Sequence, residues 1–346
     1  MHETKSTHLE RVNDTPRINF TLDPRFYLDD RDKLHVRLVD EKAPGWKILN
    51  WLPTMFGNWL GLRQAREIVS EVRHDRRDMG FFRKVVDAMK LRVSYSEERL
   101  QQVPKTGPLV VVANHPLHGV DGMAVAHMIS QVRSDVKIML TSSFDGIPGV
   151  AEHGIFVSEG NGSSARSRSE STREAMKWLK DGHVLIVFPA GQGSFLKSAE
   201  HTNPVDGTWQ KGVSLLIRKS QANVLPVFVE GCPGKLFRTV RSLSRTASMF
   251  LLVREIVRQR ESKVTLKVGT PISGDEFLAQ GDAETQMQFL RDRTYALARK
   301  QNAGLNCLYQ TAARKIFRIH KKQTAIPHES TGRITDRSVV GSGKNG

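Results

Sequence analysis

Short apolar runs of strand length alternate with amphipathic stretches along most of this chain. Runs of about four to eight apolar residues between turn residues are typical of buried strands. The predicted strands cover residues 91–95, 109–113, 137–141, 154–157, 184–188, 223–229 and 264–268. Helices are predicted at about 169–180, 210–220 and 245–260, and a loop at 232–240. This alternation predicts an α/β fold with a mostly parallel or mixed sheet flanked by helices.

The most informative stretch surrounds the strand at 109–113. The strand ends at Asn114-His115-Pro116, where a proline stops any helix, and a new helical pattern begins near Asp121. His115 is therefore expected on the loop just past the carboxyl end of a strand. Asp121 is expected at a helix N-terminus, where a carboxylate is favoured. Open α/β sheets bind their ligands at this edge.

A histidine and an aspartate in these positions are candidates for general-base catalysis. The neutral imidazole of His115 would take the proton of an alcohol that attacks a carbonyl carbon. Asp121 would fix the imidazole tautomer and stabilise the imidazolium. An ordinary loop histidine beside a helix-capping aspartate is an equally weighted alternative. His118 adds a metal-ligand alternative, although the spacing matches no common zinc pattern, so no metal is expected.

A second sharp loop is predicted where the strand at 184–188 ends. It consists of Phe188, Pro189, Ala190 and Gly191. Two loops at one edge of a sheet converge on one crevice, so this loop is a candidate to bind substrate. Lys211 stands at the start of the helix that follows and is a further candidate.

Two arginines are candidates to hold an anionic group. Arg166 and Arg168 end a basic, small-residue stretch just before a predicted helix. Guanidinium groups and backbone N–H groups at a helix N-terminus attract a phosphate or carboxylate. A solvated basic loop is an equally good explanation of the same residues.

The N-terminal part divides at about residue 45. Residues 1–44 are polar without a sustained period and predict an extension. Residues 45–80 hold three of the five tryptophans, followed by several arginines. One apolar face carries Ile48, Leu52, Met55 and Trp59. These features predict amphipathic helices in a membrane–water interface, with a helix pair packed on the core as the alternative.

The net charge and the cysteine count limit the classes of partner and compartment. The formal net charge of +16 predicts a polyanionic partner, namely nucleic acid, an anionic membrane surface or phosphorylated substrates. A basic nucleic-acid-binding protein without catalysis is a rival hypothesis, but no nucleic-acid-binding motif is present. Two cysteines are too few for a disulfide framework and favour a reducing compartment. The sequence shows no secretory signal and no apolar run long enough to span a membrane.

The pattern predicts an α/β domain over 81–302, which the resemblance described below implies to be an acyltransferase domain, a C-terminal helix over 303–322 and a disordered tail over 323–346. The tail is rich in Ser, Gly and Lys and has few large apolar residues, which is typical of disorder.

Four sequence blocks in order resemble the glycerolipid acyltransferase superfamily, which includes 1-acylglycerol-3-phosphate acyltransferases. The first runs from Asn114-His115-Pro116 to Asp121, and the third is Phe188-Pro189-Ala190-Gly191. Lys211-Gly212 and the apolar strand Val224-Leu-Pro-Val-Phe228 complete the resemblance, which covers about residues 80–300.

Two departures resemble a bacterial branch that is labelled hemolysin and includes acyltransferases of ornithine-containing lipids. Five residues separate His115 and Asp121 instead of four, and Ala190 replaces the glutamate of Phe-Pro-Glu-Gly. The run Asp206-Gly-Thr-Trp209 also matches that branch. These departures put lysophosphatidate as the acceptor in doubt.

The resemblance implies an O-acyltransferase that moves a fatty acyl group to a hydroxyl of a lysolipid. The donor would be acyl-coenzyme A or acyl-carrier protein as co-substrate, with no resident cofactor. A non-phosphate acceptor such as an ornithine-type lipid is the alternative. The protein is expected to lie peripherally on the cytoplasmic face of the membrane and to bind no nucleic acid.

Overall fold

A seven-stranded sheet forms the centre of the protein in the computed structural model. The structure describes residues 22–28, 34–40, 54–75, 77, 80–157, 165–191 and 205–299. The strands are β1 (Leu22–Leu28), β2 (Leu34–Asp40), β3 (Arg92–Ser94), β4 (Leu109–Ala113), β5 (Val136–Thr141), β6 (Gly154–Val157), β7 (Val184–Val187), β8 (Asn223–Glu230) and β9 (Lys263–Val268).

Helices surround this sheet. They are α1 (Thr54–Trp59), α2 (Leu62–His74), α3 (Phe81–Ala88), α4 (Glu97–Gln101), α5 (Val120–Ser130), α6 (Val150–His153), α7 (Ala165–Lys180), α8 (Gly212–Ser220), α9 (Lys235–Leu243), α10 (Arg245–Phe250), α11 (Leu252–Arg258), α12 (Gly274–Leu278) and α13 (Ala283–Arg299). None of the helices described here is both long and apolar enough to cross a bilayer.

The strand order is β3-β9-β8-β4-β7-β5-β6. Strands β8, β4, β7, β5 and β6 are parallel to one another, whereas β9 pairs with β8 in the antiparallel sense. Strand β4 therefore lies between two parallel neighbours, β8 and β7. The loops that leave all three strands emerge at the same edge of the sheet.

Apolar side chains cover β4 on both faces. Leu109 and Val111 join one core cluster, which includes residues of α3 and α5, and Val110 and Val112 join another, which includes residues of α7 and α8. Successive side chains of a strand point to opposite faces, so a fully apolar run is what a strand buried on both sides requires.

The structure confirms the predicted α/β fold and the mixed sheet. The predicted loop over 232–240 is wrong, because α9 begins at Lys235. Its apolar residues Leu236, Val240 and Leu243 have helical spacing, but the helix is short. The single helix predicted over 245–260 is two helices, α10 and α11, that meet at Leu251.

The N-terminal part contains an antiparallel hairpin of β1 and β2, which the polar pattern did not predict. Ile68 of α2 is buried in a core cluster, whereas Trp59 of α1 is 44% exposed. The residues before Thr54 that form the rest of the predicted interfacial face, and the C-terminal segments beyond 299, lie outside the described residues.

Candidate active site

At the end of β4, the side chain of Asn114 forms two hydrogen bonds to the backbone of the neighbouring strand. The amide nitrogen of Asn114 donates to the carbonyl of Val229 (2.9 Å), and the Val229 N–H donates to the Asn114 amide oxygen (2.7 Å). Asn114 is buried. These two hydrogen bonds join the first loop residue to β8, and the chain turns away from the sheet at His115.

His115 and Asp121 meet beyond that turn, as the sequence predicted. The Nδ1–H of His115 donates to Oδ2 of Asp121 at 2.9 Å. The His115 side chain keeps 19% of its surface exposed, whereas the Asp121 side chain has none. The geometry leaves Nε2 of His115 as the ring nitrogen for a proton acceptor and the carboxylate as its buried support.

Asp121 stays ionised in this buried position because donors surround it. Oδ2 also accepts from the N–H of Leu117 (2.9 Å), and Oδ1 accepts from the N–H groups of Gly119 (2.9 Å) and Gly122 (3.0 Å). Burial by itself would raise the pKa of the Asp121 carboxyl, but His115 and the backbone donors outweigh burial and lower this pKa.

The turn that carries these donors has an unusual backbone. His118 has φ +50° and Gly119 has φ +118°. A Cβ on Gly119 would lie 3.3 Å from the Ile256 side chain, so glycine suits the position in both conformation and space. Burial, together with the nearby positive charges of His115 and Arg241, lowers the pKa of His118 to about 3. His118 is therefore a neutral ring beside His115.

The second predicted loop meets the first. Val112 of β4 pairs in register with Val187 of β7, so Phe188 follows at the same edge as His115. The ring centroids of Phe188 and His115 are 4.5 Å apart. The Gly191 N–H donates a hydrogen bond to the Phe188 carbonyl (2.9 Å) and closes the turn. Its φ is +66°, and a Cβ there would overlap the Gln210 amide.

Pro189 and Ala190 lie within this turn. The Pro189 carbonyl accepts from the Gln210 N–H at 2.9 Å, and Ala190 packs on a core cluster. The turn is therefore tied to the segment that leads into α8.

Asp206 is a part of the site that sequence reasoning missed. Its carboxylate is buried; Oδ1 accepts the backbone N–H of His115 (3.2 Å) and Oδ2 accepts the indole N–H of Trp209 (2.9 Å). The backbone of Asp206 is held in turn, since its N–H donates to the Tyr295 hydroxyl and its carbonyl accepts from Arg291. The Asp206-Gly-Thr-Trp209 run was a signal, but Asp206 lies 91 positions after His115 in the sequence.

The remaining candidates are not brought to the pair by any described contact. Lys211 forms an exposed ion pair with Glu284 of α13 (2.9 Å). Its hydrogen bond to Glu284 raises the pKa of the Lys211 ammonium. Arg166 and Arg168 belong to the first turn of α7, and their side chains lie outside the described part of the structure.

No group of three His, Cys, Asp or Glu residues within the described ranges is arranged to hold a metal ion. The Nδ1–H of His115 donates to the Asp121 carboxylate, which also accepts from three backbone N–H groups. The Nδ1 atom and the carboxylate are therefore engaged in hydrogen bonds within the protein.

An apolar cavity of about 560 Å³ begins beside the loop that leads to Asp121. It touches Gly119 and Val120, directly before Asp121, and extends between α2, α3, α5, α6 and α11. Its walls include Val69, Val72, Phe81, Met123, Ile147 and Ile256. Cavities of this size, about 300–1,000 Å³, hold small molecules, and this lining suits a hydrocarbon chain.

A comparison with protein families bears directly on this geometry. The family model described as "Acyltransferase" matches residues 37–304, which include both loops and the cavity. The chain belongs to this acyltransferase family. It is an acyltransferase of the glycerolipid acyltransferase superfamily that the motifs resemble.

Relatives of this acyltransferase point the same way. A lyso-glycine lipid O-acyltransferase from Phocaeicola vulgatus is 25% identical over 210 residues, which cover 57% of this chain and 71% of that protein. A lyso-glycine lipid O-acyltransferase from Bacteroides thetaiotaomicron is 21% identical over 286 residues, covering 80% and 99%.

A solved structure also aligns with the acyltransferase. The crystal structure of the 1-acyl-sn-glycerophosphate (LPA) acyltransferase PlsC from Thermotoga maritima has a TM-score of 0.41 and 18% identity. The alignment covers 71% of this chain and 88% of that one.

Proposed function

We propose that this acyltransferase moves a fatty acyl group from a thioester, acyl-coenzyme A or acyl-carrier protein, to a hydroxyl of a lysolipid, with His115 as the general base. The observation that carries the proposal is the 2.9 Å hydrogen bond between the partly exposed His115 and the fully buried Asp121. A partly exposed base held by a buried carboxylate suits a substrate that brings its own hydroxyl.

The reaction needs no enzyme nucleophile. Nε2 of His115 takes the hydroxyl proton while the acceptor oxygen bonds to the thioester carbonyl carbon. The tetrahedral intermediate then collapses, the carbon–sulfur bond breaks, and the thiolate takes the proton from the imidazolium. Asp121 holds the tautomer and stabilises the positive charge between these steps. The turn from Phe188 to Gly191 shapes the acceptor side, since the Phe188 ring lies 4.5 Å from the His115 ring at a tilt of 36°.

The apolar cavity takes the acyl chain. It begins at Gly119 and Val120, so a thioester carbonyl near His115 has an apolar space within reach of its chain. Its volume fits a single chain rather than a whole phospholipid.

The acceptor carries a headgroup other than a simple phosphate. The relatives act on lyso-glycine lipids by their names, and Ala190 stands where a glutamate is usual in enzymes of lysophosphatidate. An amino-acid lipid of the glycine or ornithine type is therefore the acceptor class that we expect. Arg166, Arg168 and Lys211 are the proposed contacts for its anionic part.

The enzyme works peripherally at the cytoplasmic face of the membrane. Its acceptor is a lipid, its net charge is +16, and the cytoplasmic leaflet carries anionic lipids that attract such a charge.

The test is an acyl-transfer assay with purified full-length protein. Palmitoyl-coenzyme A or palmitoyl-carrier protein is offered with lyso-glycine lipid, lyso-ornithine lipid or lysophosphatidate in detergent, and products are measured by mass spectrometry. We expect an amino-acid lipid to be acylated and His115→Ala to lower the rate by about 10²–10⁴-fold, the usual contribution of a general base.

His183→Ala serves as the matched control, because His183 is also a partly buried histidine hydrogen-bonded to an aspartate, Asp135, but lies at the opposite edge of the sheet. A folded His115→Ala protein with unchanged turnover would remove His115 from the mechanism.

A further inference from the structure

Helix α9 presents two large apolar side chains to solvent. Leu236 is 45% exposed and Leu243 is 82% exposed. They are seven positions apart in sequence, so they lie two turns apart on one stripe of the helix. Apolar side chains that are exposed in a group, rather than singly, mark a surface that meets a partner or a membrane.

The inner side of the same helix lies against the active site. Phe237 is buried, and its ring centroid lies 4.5 Å from that of His118. The His118 ring is in turn 5.7 Å from the ring of His115. Whatever meets the outer stripe of α9 is therefore held about one helix diameter from the base.

A tryptophan belongs to the same assembly of helices. Trp59 is 44% exposed, the guanidinium of Arg254 lies 4.7 Å from its ring centroid, and Arg254 also donates to its carbonyl. The adjacent Leu60 shares an apolar cluster with Phe237 of α9 and with residues of α11. Three of the four large exposed apolar side chains in the described residues thus belong to α1 and α9.

The charge of this region is strongly positive. Residues 235–260 contain seven Lys or Arg residues and a single acidic residue, Glu255. Glu255 is buried and already accepts from Arg258 (2.5 Å) and from the N–H of Gly234 (2.9 Å). The positive charge of α9 itself, on Lys235, Arg238 and Arg241, has no acidic residue on the same helix.

We propose that α9, with Trp59 beside it, docks on an anionic lipid bilayer, with Leu236 and Leu243 entering the boundary between headgroups and acyl chains. Exposed leucines, an interfacial tryptophan and flanking basic residues are the features with which a peripheral helix binds such a surface. An acidic carrier protein would complement the positive charge of this region, but it would not explain the exposed leucines and tryptophan. The inference rests on the proposed function in one respect, that the acceptor is a lipid.

This docking has a consequence for substrate entry. Because the opposite side of α9 packs on His118, a bilayer under α9 brings lipid headgroups to the catalytic loop. A lipid acceptor then reaches His115 from the membrane without first dissolving in water.

The test compares vesicle binding of the full-length protein and of Leu236→Glu/Leu243→Glu. Vesicles of phosphatidylcholine with about 30% phosphatidylglycerol are sedimented at increasing salt. We expect the paired variant to bind at least about tenfold more weakly, since each leucine loses its apolar transfer and gains a charge. We expect wild-type binding to fall with salt and to be weak on pure phosphatidylcholine.

Leu215→Glu is the matched control, because Leu215 is 38% exposed on α8, outside this assembly, and we expect it to bind like the wild type. Leu243→Ser, at the most exposed position, replaces the paired variant if that protein does not fold. Equal vesicle binding by all variants would overturn the proposal. So would normal vesicle binding combined with a raised KM for acyl-carrier protein, which would assign α9 to the carrier instead.

Activity on a detergent-dispersed acceptor separates this proposal from the proposed function. We expect the α9 variants to keep it, because no bilayer is needed there. Vesicle binding that follows the prediction, in a wild-type protein that transfers no acyl group, would refute the transferase mechanism and leave the docking surface standing.

Discussion

Two carboxylates hold His115 from different sides. Asp121 accepts from the imidazole Nδ1–H and Asp206 accepts from the backbone N–H of the same residue. Both carboxylates are fully buried. The first sets the tautomer of the ring, and the second sets the position of the main chain that carries it.

Asp206 is therefore predicted to be a positioning residue. Asp206→Asn has one acceptor oxygen for two donors, His115 N–H and the Trp209 indole, so one donor is left facing an amide NH₂. We expect kcat to fall by about tenfold or more with little change in KM, since a lost buried hydrogen bond costs about 1–3 kcal/mol. Steady-state kinetics with a lysolipid acceptor measure both values.

The double variant Asp206→Asn/Trp209→Phe tests the reason. It removes the indole donor and lets the amide oxygen face His115, so kcat should recover part of the loss. No recovery, or an equal rise in KM and fall in kcat, would mean that Asp206 only supports packing.

At this scale, the sequence could predict that His115 and Asp121 lie together, but not all the groups that hold them. His115 and Asp121 are six residues apart, so the loop and the helix start that carry them are read from one local pattern. Asp206 reaches His115 across 91 residues, and no local spacing encodes that contact. The same reason explains why no partner of Lys211 was predicted, whereas Lys211 pairs with Glu284 of α13.

At the scale of elements, strands β4 and β7 were predictable because burial on both faces demands uninterrupted apolar runs. Helix α9 was not, because its nine residues follow Pro233 and Gly234, which are typical of loops. Its helical state depends on Phe237 packing against His118 and Leu60, which are distant in sequence.

Helix α2 supplies one wall of the cavity and allows a test of its occupant. Val72→Phe adds volume to that wall, and we expect the preferred acyl donor to become shorter while turnover of short donors is kept. Rates with C8 to C18 acyl-coenzyme A measure this profile. Gln64→Phe, at an exposed position of the same helix, should leave the profile unchanged. Uniform loss at all chain lengths would argue against a chain-binding cavity.

At the scale of the whole molecule, the order of the strands was beyond the sequence pattern. Strand β4 is flanked by β7 and β8, which come 71 and more residues later, and long crossovers of this kind leave no periodic signal. What the pattern did predict was the class of fold, since that follows from alternation alone.

Folding stability should depend on pH through His118. Burial first, and the positive charges of His115 and Arg241 next, lower the pKa of His118 from 6.5 to about 3. As pH falls below about 6.5 the unfolded chain binds this proton before the folded one does, so the free energy of unfolding should decrease towards pH 3. The pKa of Asp121 is also lowered in the folded protein, so the free energy of unfolding should decrease further as pH falls below the unfolded-state pKa of aspartate, about 3.9.

Urea unfolding at pH 7, 6, 5 and 4.5 measures the slope. His118→Asn should flatten it, because asparagine does not titrate and tolerates the positive φ of this position. His74→Asn, at an exposed position, should not. An unchanged slope in His118→Asn would show that other groups carry the acid sensitivity.

The two hydrogen bonds between the Asn114 side-chain amide and the Val229 backbone have a kinetic consequence. They join the start of the catalytic loop to the neighbouring strand with two hydrogen bonds, both made within the protein alone. The proposed general base is thus preassembled before either substrate arrives. No loop closure should gate the chemical step, and turnover of a water-soluble thioester should be insensitive to solvent viscosity.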